Sequence, residues 1–255
     1  LAEQLGLCVI HHELVEHDLA QRLGVQESAV HHYLEGNATL LERWKIDRTK
    51  LSRFTAEEIL GLAREGNVII RGWGATGVLR HIPHVLRVRI CAPMAFREQI
   101  MMERLKVTDA STVRREIERS DAAHAGTVRG FFGVDWQNPL LYHLVLNTGS
   151  VPVATCVSVI RQLAESPAFQ ETDDTRSTLA DRLLESQART LLDGLLPVNT
   201  TDAVLEVAVV RGVVTLKGVS NRSEDLDIVI AKIRELQGVK GVETAVWRSP
   251  GPLGI

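Results

Sequence analysis

"GWGATG", residues 72–77, follows the strand-like run "NVII" (67–70) and Arg71, and it matches letter for letter the G-x-G-x-x-G fingerprint of dinucleotide-binding turns. That fingerprint works through its context. The glycines close a strand-to-helix turn, a full crossover helix follows, and an acidic residue ends the next strand to hold a ribose. Here Pro83 stops any helix begun at Ala75 after about two turns, short of the roughly ten to twelve residues that a crossover needs. The next apolar run, "VLRVRI" (85–90), ends in Cys91-Ala92-Pro93, and the first carboxylate beyond it, Glu98, falls inside the following helix. The stretch therefore reads as a tight turn at a strand end and not as a dinucleotide site.

Working outward, apolar strand-like runs alternate with helical ones. "LCVI" (7–10), "NVII", "VLRVRICA" (85–92) and "LLYHLVLNT" (140–148) are the strands. The helices are "HHELVEHDLAQRLG" (11–24), most of 26–66, "MAFREQIMMERL" (94–105), "STVRREIERSDAAHAGTVR" (111–129) and "VPVATCVSVIRQLAE" (151–165). Within 26–66, "TAEEILGLAREG" (55–66) predicts a helix capped by Thr55, with Glu58 three residues on and Gly66 at its end. This alternation predicts an α/β fold with a parallel sheet. "LAEQLG" (1–6) reads as the last turns of a helix stopped by Gly6, so the sequence is expected to open inside a domain. Residues 166–175, "SPAFQETDDT", lack periodicity and read as a linker. A second pattern follows over 176–248: a helix (177–195), two strands (204–210 and 213–220) around the turn Arg211-Gly212, a helix (223–238) and a last strand (242–247). This predicts a small α+β domain with a tail at 249–255.

Composition narrows the function. A net charge of −3 spread without a basic stripe gives nucleic acid no electrostatic footprint. Three scattered cysteines, Cys8, Cys91 and Cys156, argue against a disulfide framework and a zinc site, and they fit a reduced, cytoplasmic setting. No apolar run reaches the roughly 18 residues of a membrane span, and the start carries no charged n-region with an apolar h-region. In "HHELVEH", His12 and His17 stand five apart, so they miss the i,i+4 face of H-E-x-x-H and predict no metal. No G-x-S-x-G elbow occurs, which leaves hydrolase chemistry unsupported.

The stretch with chemical promise is "RREIERSDAAHAGTVRGFFGVDW" (114–136). On a helix Arg115 and Arg119 lie one turn apart, Asp121 is close, and Arg129 comes two to three turns later, a grouping that suits phosphates. A solvated helix in which Arg114 pairs with Glu118 explains the same spacing equally well.

Taken in order, "NVIIRGWGA", "HVLRVRICAPMAFREQIMMERL", "REIERSD" and "FFGVDWQNPLLYHLVLNTG" resemble the cytidylate kinase-like group of P-loop nucleoside monophosphate kinases over roughly residues 1–165. The resemblance implies a doubly wound parallel sheet of the P-loop nucleotide kinase type, ATP with Mg²⁺ as phosphoryl donor and a pyrimidine monophosphate such as CMP as acceptor. It makes the arginine-rich helix a lid in which Arg119 and Arg129 neutralise phosphate and Asp121 orients the lid. Arg71, Gly72, Trp73, Gly74 and Arg115 then line the nucleotide cleft. Trp73 stands where the family commonly has arginine, and His11 and His12 stand where it often has an Asp-Arg pair. No G-x-x-x-x-G-K-S/T loop occurs in the sequence, so the resemblance implies a fold lacking its first strand and phosphate loop. Two readings follow: a nucleotide kinase whose loop lies upstream, or a catalytically degenerate scaffold.

Residues 174–248, with "G-x-V-x-L-x-G" at Gly212, Val214, Leu216 and Gly218 and "GVKGVETAV" at 238–246, resemble a BON domain. That resemblance implies self-association or binding of phospholipid or a small ligand. Lys217, Lys232 and Lys240 are scattered, so an interaction or assembly module is the expectation.

Overall fold

Glycine-stopped helices and strands of three or four residues make up the first of two units, Leu1–Glu171 and Thr172–Ile255. The computed structural model describes residues 1–11, 13–34, 38, 46–72, 74–195, 203–221 and 223–248. Helix α1 (Ala2–Leu5) ends at Gly6, and β1 (Cys8–Ile10) runs parallel to β2 (Val68–Ile70). Between them lie α2 (Glu13–Leu23), α3 (Glu27–Leu34) and α4 (Arg48–Glu65). Leu19, Ala20, Val30, Ile46 and Leu51 form their shared core, with Tyr33, Phe54 and Phe131 packed against it.

Helix α4 begins earlier than the sequence suggests, and Thr55 is not its cap. Asp47 caps it instead, its Oδ1 accepting from the backbone N–H of Thr49 (3.0 Å) and Lys50 (3.1 Å). Leu51, Thr55 and Ile59 are buried at i,i+4 spacing, so the apolar stripe continues backward through Thr55. The threonine tolerates burial because its hydroxyl donates to the Leu51 carbonyl at 2.8 Å. Glu58, expected to complete that cap, accepts from Arg22 at 2.9 Å, and Glu57 pairs with the same guanidinium.

After β2 come α5 (Ala75–Val78), β3 (Val88–Cys91), α6 (Met94–Leu105), α7 (Ala110–Phe132), β4 (Leu144–Asn147) and α8 (Val153–Ala164). The strand expected over 140–148 is shorter, because Pro139–Leu141 form a 3-10 turn with Asn138 Oδ1 accepting from Leu140 N–H at 3.0 Å. Strands β3 and β4 are parallel. The strands do not form one continuous sheet: β1–β2 and β3–β4 are separate two-stranded pairs. None of their residues is buried, and Ile90 is 54% and Val145 43% exposed. Parallel strands are ordinarily covered on both faces, so these pairs have unsatisfied apolar surface. No helix of the described residues is long and apolar enough to cross a membrane.

In the second unit, α9 (Asp173–Leu195) starts inside the stretch read as linker. Thr172 and Thr175 explain it: Thr172 Oγ1 accepts from Thr175 N–H (3.2 Å) and Thr175 Oγ1 accepts from Thr172 N–H (2.9 Å), a reciprocal box in which threonine replaces the usual glutamate. Strands β5 (Ala203–Val210) and β6 (Val213–Ser220) are antiparallel, α10 (Ser223–Arg234) crosses over, and β7 (Gly241–Arg248) runs parallel to β6 at the sheet edge. Ala188, Leu192, Val207, Val214, Leu216, Leu226 and Val229 fill the core between sheet and helices. The hairpin turn has positive φ at both Arg211 (50°) and Gly212 (80°), the type I′ pattern that matches strand twist. Asp181 of α9 holds it, accepting from Arg211 N–H at 2.6 Å and Gly212 N–H at 2.8 Å.

Candidate functional site

Helix α7 carries the arginines. At 100° per residue Arg115, Arg119 and Arg129 fall within an arc of about 80°, opposite the buried Val113, Ile117 and Val128. They face solvent, Arg119 being 61% and Arg129 71% exposed. Arg115 donates to Thr112 Oγ1 (3.1 Å), Arg119 to Glu116 (2.6 Å), and Arg129 lies 3.8 Å from Asp135. Arg115 and Arg119 stand one helical turn apart. Arg129 lies about 15 Å further along the axis than Arg119.

Sequence reading missed a fourth cation. Arg48, in the first turn of α4, lays its guanidinium over Gly130, where an added Cβ would meet Nη2 at 1.7 Å. Gly130 lies on the arginine side of α7, so Arg48 joins Arg129 from a neighbouring helix. Ser52 secures the same junction by donating to the Phe131 carbonyl at 3.1 Å. Only the missing side chain at position 130 hints at this, and one glycine in a helix has many explanations.

Asp121 sits apart from the arginine face. It receives both Nη groups of Arg97 from α6, at 2.6 and 2.7 Å, in fork-on-fork geometry. The hydrogen bond to Asp121 raises the Arg97 pKa against the opposing cost of burial. Arg114 pairs with Glu98 of α6 as well, and Glu118 at i,i+4 adds only a weaker charge interaction. Two ion pairs thus fix α7 to α6 and set the direction in which the arginines point. The start of α7 is fixed by Asp109, whose pKa falls to about 2 because the hydroxyls and N–H groups of Thr112 and Ser111 donate to it.

The opening hexapeptide follows the end of β2. Arg71 and Gly72 are exposed there, and Trp73 lies outside the described residues. Gly74 has φ 68°, and a Cβ on it would meet the Phe132 ring at 2.6 Å; a Cβ on Gly77 would meet Val134 at 3.0 Å. These two glycines let the one-turn helix α5 pack against the end of α7.

The block "FFGVDWQNPLLYHLVLNTG" acts as a buckle for the β3–β4 pair. The Trp136 carbonyl accepts from Arg89 Nη1 and from the Tyr142 hydroxyl, both at 2.7 Å, while the Arg89 guanidinium lies 4.9 Å from the Trp136 ring. Burial raises the Tyr142 pKa. An open groove along α6, lined by Ala95, Glu98, Gln99, Met102, Glu103 and Val107, carries two carboxylates and does not suit phosphate.

With this geometry in place, the first unit defines a mixed α/β protein of the nucleotide-kinase-like class. The chain belongs to the cytidylate kinase-like family, whose sequence model matches residues 1–150. No curated protein matches it significantly. A crystal structure of an uncharacterized protein from Eubacterium ventriosum ATCC 27560 is similar at 16% identity, covering 64% of this chain and 87% of that one with a TM-score of 0.48.

Proposed function

We propose that residues 1–165 form the acceptor and lid part of an ATP-dependent nucleoside monophosphate kinase acting on a pyrimidine monophosphate such as CMP. The observation that carries this reading is the solvent face of α7, which presents Arg115 and Arg119 one turn apart and Arg129 further on with Arg48 beside it, while Arg97–Asp121 holds the helix. Phosphoryl transfer asks the protein mainly for positioning and positive charge on the transferred group, which arginine forks supply. Arg71, Gly72, Trp73 and Gly74 are assigned to the nucleotide side of the cleft. ATP supplies the phosphoryl group when bound. Mg²⁺ would come with the nucleotide, whose phosphate oxygens supply most of its ligands.

The two uncovered parallel pairs fit the same reading. In it they are halves of one doubly wound sheet, completed by a strand and glycine-rich phosphate loop that are not among these 255 residues. The unpaired Cys8, Cys91 and Cys156 support a cytoplasmic setting. The test is phosphoryl transfer from ATP to CMP, dCMP, UMP and AMP by the natural full-length protein. Turnover on CMP that falls about 10²-fold in Arg119→Ala, and by about tenfold in Arg48→Ala, supports the enzyme. A folded protein inert toward every acceptor sinks it.

A second reading has its own observation. Residues 176–248, within a unit that begins at Thr172, are assigned as a BON-like assembly module on a degenerate kinase-like scaffold. Its sheet leaves Val204, Val219 and Trp247 exposed in one row. Self-association of the whole chain that is lost on removing this unit supports that reading.

A further inference from the structure

The sheet of the second unit has one covered face and one open face. Val207, Val214 and Leu216 point into the core, while the register puts Val204, Val219 and Trp247 side by side on the opposite face at one end. Val204 is 73% and Trp247 62% exposed. Val210, Val213 and Gly241 make the corresponding row at the other end, with Val210 67% exposed. Two mixed rows lie between, Glu206, Lys217 and Ala245 in one and Ala208, Thr215 and Glu243 in the other. An exposed tryptophan flanked by valines on a regular sheet marks a contact surface more than a solvated one.

We infer that this face is covered by the same face of a second copy of the chain, the two related by a two-fold axis that runs across the strands. This rests on the assembly reading of the second unit and specifies its surface. Such an axis stacks each strand on its own reversed image, so the Trp247 row of one copy lies over the Gly241 row of the other. Trp247 then covers Gly241, the largest side chain over the residue with none, while Val204 covers Val210 and Val219 covers Val213. Lys217 meets Thr215 of the second copy, with Glu243 of that copy one strand away. The alternative axis, along the strands, stacks Lys217 on Lys217 with a Glu206 on either side and sets Trp247 over Val204, so the indole meets a valine and the gap at Gly241 faces only Val210. Sheets packed in this way stand about 10 Å apart, a gap that an indole over a glycine fills.

Size sets the strength. Three strands of eight residues give a face of about 26 by 14 Å, on the order of 600 Å² of accessible surface per copy, which is the lower end for a specific interface. A reversible, concentration-dependent dimer follows.

Sedimentation velocity of the full chain over a concentration series tests this. A concentration-dependent dimer is expected, with Trp247→Ser and Gly241→Lys each weakening it by about tenfold or more. Gly241 is suitable because an added Cβ meets nothing nearer than Val213 Cγ1 at 4.0 Å, so thermal melts of the variant stay close to wild type. Ile228→Ser, an exposed change on α10, leaves the dimer intact. A dimer insensitive to Trp247 and Gly241 changes overturns the assignment of this face while leaving assembly standing. A chain that is monomeric throughout removes both. If Trp247→Ser abolishes binding to phosphatidylglycerol-containing vesicles while the wild-type chain never self-associates, the face belongs to a lipid surface and the inference is overturned.

Discussion

At Gly218 the chain has no room for any other residue. Its φ is 139°, and an added Cβ would lie 2.0 Å from the Val204 carbonyl oxygen on the adjacent strand. Gly218→Ala must therefore push β5 away from β6 or strain the backbone. We expect a loss on the order of 2–4 kcal/mol in urea unfolding. Gly126, exposed on α7 with nothing within 4 Å of an added Cβ, should show the opposite sign. Gly126→Ala should stabilise by about 0.5–1 kcal/mol, since alanine loses less entropy in a helix. If both changes destabilise alike, the steric account of Gly218 is wrong. Asp109 gives a pH signature at the same scale. Its folded pKa, about 2, lies below the ordinary 3.8, so its contribution to the start of α7 is complete above 3.8 and lost as pH falls through about 2. Carboxyl chemical shifts and the Ser111 and Thr112 amide shifts should titrate together near that value.

Between elements, the Arg97–Asp121 fork joins α6 to α7, with both side chains about one third exposed. Solvent screens the pair, so a double-mutant cycle of Arg97→Ala and Asp121→Ala should give a coupling of about 1 kcal/mol. A coupling near zero would mean that the fork does not orient the arginine helix. The β3–β4 pair carries a pH dependence of its own. His143 Nδ1 accepts from Arg87 N–H, and burial followed by the Arg87 charge lowers the ring's pKa below 6.5. The neutral ring is the folded form, so stability is complete above 6.5 and declines as the unfolded chain protonates below it. Histidine-to-glutamine exchange at 143 should flatten the stability profile between pH 5 and pH 7, a range set by the ordinary histidine pKa of roughly 6.5. What the sequence disclosed at this scale followed one rule. Apolar period and glycine stops mark α1, β1, β2, α6 and α8 correctly, because those signals are local. The start of α4 was misplaced because Thr55 looks like a cap in sequence and becomes a stripe residue only through its bond to Leu51. Arg97 and Arg48 were invisible as site residues because their partners, Asp121 and Gly130, stand 24 and 82 positions away.

For the whole molecule, the two units differ in how completely their sheets are built. The second has eight-residue strands with Val214 and Leu216 at 0% exposure, while the first has strands of three or four residues with none buried. A parallel alternation of strands and helices was readable from the sequence, but whether the strands share one sheet depends on long-range pairing that no local pattern encodes. The difference predicts unequal local stability. In native-state hydrogen exchange, the amides of β6, paired on both sides, should be the slowest, and those of β2 and β3 far faster because these strands pair on one side only. The kinase reading adds a consequence for the natural full-length protein. A strand lying between β2 and β3 would give both a second neighbour, so their amides should slow by about 10²-fold or more, equivalent to roughly 3 kcal/mol of added local stability. The β6 amides should not change, because their sheet is already complete. Equal protection of β2 and β3 with and without the additional residues would show that nothing joins the two pairs, and the doubly wound sheet would have to be abandoned along with the phosphate loop that depends on it.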